Sequence, residues 1–138
     1  MIGAVLYLAV GTVVFVAITF LEQVPVLGWL GGVVSIAAWI ALSRGLARGM
    51  GADPLRSGAA IIWSGVLGAF TGFVGALTAW LAQTGNLFGF TTPPGDRFGA
   101  AFGFVGASIG LIYWPVIGAL VCVATAFMVA PRRGGDRL

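Results

Sequence analysis

Residues 57–82 read SGAAIIWSGVLGAFTGFVGALTAWLA, 26 positions without a charge. A helix rises about 1.5 Å per residue, so about 20 apolar residues cross the roughly 30 Å of hydrocarbon in a bilayer. The stretch is long enough to span. Its apolar residues run continuously instead of alternating over about 10 positions, which excludes a barrel strand. Within it Gly65, Gly68, Gly72 and Gly75 recur at spacings of 3, 4 and 3. At about 100° per residue these four stay within one narrow arc, a face that lets another helix backbone come close.

Three more uncharged runs surround this one: Ile2 to Leu21 with 20 residues, Val26 to Ser43 with 18, and Phe98 to Ala130 with 33. The chain of 138 residues therefore reads as an all-α integral membrane protein. It is a single four-helix transmembrane domain, a compact glycine-rich bundle with spans at about 2–21, 26–46, 55–82 and 98–130. Composition agrees, with 59% hydrophobic and 8% charged residues against about 25% charged in ordinary soluble domains. A soluble domain of this size needs polar side chains over its surface that this chain does not have. The first run lacks the positive start and the small-residue cleavage pattern of a signal peptide, and reads as a retained helix.

Turn chemistry marks the boundaries. Glu22, Gln23 and Pro25 form a short break suited to a tight hairpin. Gly49 and Gly51 close the second helix, Asp53 caps the third and Pro54 suits its first turn. The third connection, Gln83 to Arg97, is the only long loop; it carries Gly85, Asn86, Gly89, Pro93, Pro94 and Gly95, with Asp96 as the next cap. The fourth run is too long to cross straight, at about 50 Å for its 33 residues. Pro115 predicts a kink there, because proline removes a backbone donor.

The arginines set the orientation. Arg44, Arg48 and Arg56 flank the second loop, Arg132, Arg133 and Arg137 follow the fourth span, and Arg97 alone lies in the third loop. Arginine stays preferentially on the cytoplasmic side, so both termini are expected inside, in the cytoplasmic (inner) membrane of a bacterium. Tyr7, Trp39 and Trp63 then belong to the inner aromatic belt, and Trp29 and Trp80 to the outer one. The net charge of +3 reflects topology and calls for no nucleic acid. Arg44 and Arg48, one helical turn apart, and the pair Arg132 and Arg133 are candidate contacts for anionic lipid.

Glycine supplies 23 of the residues. Beside the set already quoted, Gly99, Gly103, Gly106 and Gly110 repeat at 4, 3, 4, and Gly28, Gly31, Ser35 and Ala38 at 3, 4, 3. Each set is expected to be a helix-packing seam, and Gly118 falls off the seam of the fourth span. A second stripe, Ser64, Thr71 and Thr78, repeats every seven residues next to the third-span seam. It is a candidate polar path, or a row of hydroxyls bonded to the helix's own carbonyls.

Chemistry is scarce. The chain has no histidine and no lysine, and its single cysteine, Cys122, sits in an apolar run with no base near it. No catalytic residue, metal site or cofactor is expected. No acid lies in the middle of a span, where ion-coupled transporters carry one. Ala60 to Val66, AIIWSGV, resembles a stretch of the small multidrug resistance transporters, which also have four short spans. That family has a glutamate in the middle of its first helix, whereas Val10 to Val16 carries no acid, so no family is assigned.

Abundant packing signal beside absent chemistry leads to one expectation first. The chain is a non-enzymatic accessory or scaffold subunit whose partners are membrane lipids, other membrane subunits or copies of itself. The alternative is a small oligomeric channel or carrier for a neutral or apolar solute, built around Ser64, Thr71 and Thr78.

Overall fold

The structure, a computed structural model, describes residues 2–23, 28–50, 54–87 and 97–129. It contains α1 (Ile2–Glu22), α2 (Gly28–Gly49), α3 (Pro54–Leu87) and α4 (Arg97–Val129). Each of the four is long and apolar enough to cross a membrane. α3 begins on Pro54, where a missing N–H costs nothing in the first turn. Asp53 and Asp96, expected as caps, lie outside the described residues, as do Arg132 and Arg133.

One stretch differs from the sequence expectation. α3 does not end near Gln83 but continues through Gly85 and Asn86 to Leu87. The polar residues there stay in the helix because they find partners. The Thr84 hydroxyl donates to the Trp80 carbonyl at 2.8 Å, and the Gln83 side chain lies against Gly103 of α4. α4 is helical without interruption from Arg97 to Val129, with Pro115 inside it.

α3 and α4 form the most extensive interface, packing antiparallel along their length. Four contacts give the register: Gly68 with Gly118, Gly72 with Trp114, Trp80 with Ser108 and Gln83 with Gly103. α1 packs on α2 and α3, and α2 also reaches α4, while the backbones of α1 and α4 do not meet. Two apolar clusters fill the interior. One joins Ala4, Leu46 and Leu67 with Tyr7 and Trp63; the other joins Phe15, Trp39 and Cys122 with Leu42, Trp114 and Ile117. The outer surface is apolar as well, with Leu6, Val13, Phe20, Ile62, Phe70, Ile112 and Leu120 exposed. Helices apolar on all sides match hydrocarbon surroundings.

Candidate functional site

One face of α2 aims at the bundle axis. Gly31, Ser35, Trp39 and Ser43 follow one another at intervals of four residues, and all are buried. Trp39, only 1% exposed, is the centre of the molecule. Its indole N–H donates to the Thr71 hydroxyl of α3 at 2.9 Å. Its ring stacks on Phe15 of α1, centroids 5.0 Å apart, and tilts against Trp114 of α4 at 6.1 Å. A single side chain thus contacts the other three helices. Below it the Ser43 hydroxyl donates to the Cys122 carbonyl at 2.7 Å, tying α2 to α4. A belt position at the inner interface was expected for Trp39; the structure instead makes it a plug, since residue 39 falls near the midpoint of α2. Trp80 is also drawn inward, its N–H donating to the Ser108 hydroxyl at 3.1 Å, whereas Trp29 remains exposed.

On the side of Trp39 facing the α1–α2 connection, the helices leave a cleft. Phe15, Thr19 and Glu22 of α1, Ser35 and Trp39 of α2, Gly72, Gly75 and Ala76 of α3, and Trp114 of α4 line it. It offers about 40 Å³ to the centres of water-sized molecules, enough for a few waters. The Thr19 hydroxyl is taken up by the Phe15 carbonyl at 2.9 Å. Ser35 is buried, yet its hydroxyl has no hydrogen bond among the described residues. Glu22 was read from the sequence only as part of a polar break. Its side chain turns inward across Gly31 and occupies the space a Cβ would need. A carboxylate and a free hydroxyl therefore face one small cavity walled by three aromatic rings.

The glycines divide into three kinds. Gly68 and Gly118 are a backbone contact, because a Cβ on either meets the carbonyl of the other. At Gly72 a Cβ would come within 2.6 Å of the Trp114 carbonyl oxygen, and at Gly65 within 3.2 Å of Val123. Others are notches for side chains: Glu22 at Gly31, Gln83 at Gly103, Tyr7 at Gly45 and Thr71 at Gly11. Gly28 lies under the Glu22 carbonyl, Gly75 faces Phe15 and Thr19 of α1, and Gly110 lies beside Trp114 of its own helix. The third kind faces outward. Gly99 and Gly106 are exposed, and nothing lies within 4 Å of a Cβ at Gly106. Gly106, expected at the centre of the α4 seam, faces outward, and Gly118, expected off it, meets Gly68. Spacing reveals which glycines share a face, whereas the α3–α4 crossing decides which face is covered.

The three hydroxyls of the stripe differ in their surroundings. Ser64 is fully buried and its hydroxyl has no partner among the described residues. Thr71 donates to the Leu67 carbonyl at 2.7 Å while accepting from Trp39. Thr78 donates to the Val74 carbonyl at 2.8 Å. Cys122 is fully buried, with its sulfur 3.8 Å from the Trp39 carbonyl oxygen. Among the described residues no three of the Cys, Asp or Glu side chains come together as metal ligands.

On the outside, Arg44 and Arg48 are exposed on α2 without an ion pair among the described residues. A groove of about 520 Å³ runs between α2 and α4 beside Arg44. No known protein family, curated protein or solved structure matches this chain.

Proposed function

We propose that this chain is a non-enzymatic accessory or scaffold subunit of a bacterial cytoplasmic membrane, with both termini in the cytoplasm and α4 bent at Pro115. In this reading a further membrane helix, from another subunit or a second copy, docks on the outward face of α4 around Gly106. The observation that carries it is the open space at Gly106, with Phe102, Val105 and Ile109 exposed around it. In lipid, where apolarity alone does not draw helices together, an exposed small residue among bulky ones lets another backbone approach. The α3 glycines offer no such place, since Gly65, Gly68 and Gly72 are already covered by α4.

Gentle purification from native membranes followed by intact-complex mass spectrometry tests this reading. Foreign subunits in fixed stoichiometry are the expected result, and a lone monomer removes it.

A second reading, a carrier for a small solute, is favoured by the cleft above Trp39, where the Ser35 hydroxyl and the Glu22 side chain meet a cavity shared by all four helices. A homo-oligomer that gives saturable flux in liposomes selects this reading over the scaffold.

A further inference from the structure

We infer that the groove between α2 and α4 is a binding site for one acyl chain of an anionic phospholipid, with the phosphate held by Arg44 and Arg48. The groove is lined by Ile36 and Ile40 of α2 and by Val121, Ala124, Thr125 and Met128 of α4, and among the described residues Arg44 is the one charged residue in its wall. On α2 its apolar wall continues past Arg44 for two helical turns, to Ile36, with Val121 on the α4 side. That is about 12 Å, most of the half-thickness of a bilayer's hydrocarbon. A lipid has this arrangement of charge and length: an anionic head at the interface and a chain running inward from it.

Two further observations select the occupant. The floor is closed, because α2 and α4 touch directly beneath it through Ser43 and Cys122 and through Trp39 against Gly118. A slot between helices already in contact admits a hydrocarbon chain, while a helix about 10 Å across has to ride on top. The arginines also favour an anionic head. Neither has an ion pair among the described residues, and a cation beside an anionic lipid surface gains about 1 kcal/mol from it. A phosphate offers the oxygen pair that a guanidinium binds with two parallel hydrogen bonds. Arg48 stands one turn beyond Arg44 on the same face, where it reaches the same headgroup. The site is independent of whether the chain serves as scaffold or carrier.

The test uses the whole protein reconstituted with equal amounts of phosphatidylglycerol and phosphatidylcholine of the same chain length, then released for native mass spectrometry. One retained phosphatidylglycerol, in clear preference to phosphatidylcholine, is the expected result. Arg44→Gln should lower that preference about fivefold, the worth of one juxtamembrane cation. Ala124→Phe should abolish retention with both arginines in place, by filling the slot. Both residues are exposed, so neither change disturbs the core, and helical circular dichroism checks this. Equal retention of the two lipids, or unchanged retention in Ala124→Phe, overturns the proposal. Displacement of the retained lipid by glycerol phosphate as effectively as by intact phosphatidylglycerol also overturns it, since the headgroup alone then suffices.

Discussion

Trp39 donates its indole proton to Thr71 at 2.9 Å while Thr71 donates its own proton to the Leu67 carbonyl at 2.7 Å. One hydroxyl therefore satisfies a buried donor from α2 and remains bonded within α3. Threonines in membrane helices commonly turn their proton back to the carbonyl four residues earlier; here that habit leaves an oxygen lone pair aimed at the one buried indole that needs an acceptor.

Replacing Thr71 with valine keeps the shape and leaves the Trp39 N–H without its acceptor. The expected loss is about 1 kcal/mol, within the range of interhelical hydrogen bonds in membrane proteins. Thr71→Ser, which keeps the oxygen, should lose less. Reversible unfolding in mixed micelles measures both, and a valine variant as stable as the serine one removes the bond from the account.

Gly68→Ala and Gly118→Ala should each destabilise the bundle by about 1–3 kcal/mol, the usual range for overpacking. In both variants the new methyl meets opposing backbone, which does not swing aside as a flexible side chain does. The same unfolding measurement applies, and alanine tolerated at both positions contradicts the crossing.

Gly106→Leu should leave the isolated protein as stable as the wild type, because the added side chain enters open space. Assembly should fail instead. Intact-complex mass spectrometry of the variant reads this directly; a complex that survives with the leucine in place rules out docking at that face.

Glu22 and Gly31 should be coupled. Gly31→Ala places a methyl where the Glu22 side chain lies and expels it, whereas in a Glu22→Ala background the same methyl has room. A double-mutant cycle on unfolding free energy should therefore be non-additive, by about 0.5 kcal/mol or more for residues in contact. Additive costs would mean that the two do not meet.

The orientation predicts a labelling pattern. Gly51→Cys and Arg137→Cys should react with an impermeant thiol reagent from the cytoplasmic side, and Gly95→Cys from the opposite side. Cys122, fully buried, should stay silent in intact membranes. Labelling of the Gly95 and Arg137 variants from the same side contradicts four crossings.

The four helices were legible because charge is confined to their ends, and an uncharged run of spanning length has few other readings. The inward face of each helix was much less legible. In a soluble helix polar residues mark the outside, but α2 is apolar towards lipid and carries its serines on the inward face, so Trp39 and Trp29 look alike in the sequence although one is a plug and the other is exposed. Glycine spacing located the α3 face that meets α4. On α4 the repeat included Gly103, which meets Gln83 of α3, but it did not reach Gly118, which is alone in its part of the helix and is identified only by the carbonyl of Gly68 opposite it. Glu22 shows the same limit. A glutamate at a helix end reads as a turn residue until the empty place at Gly31, nine positions on, is seen beside it.

Among the described residues α1 has only α2 and α3 as backbone neighbours, and this has a consequence for biogenesis. Every backbone surface that α1 packs against has been synthesised before α4 leaves the ribosome. The first three helices can therefore settle together in the bilayer while Ser43 and the α3 face at Gly65, Gly68 and Gly72 still point into lipid. The arrival of α4 supplies the Cys122 carbonyl for Ser43, Trp114 for the ring of Trp39 and Gly118 for Gly68. The last helix made completes the core, so a chain truncated before it should keep α1 in place while its α2–α3 seam stays open to whichever helix next comes alongside.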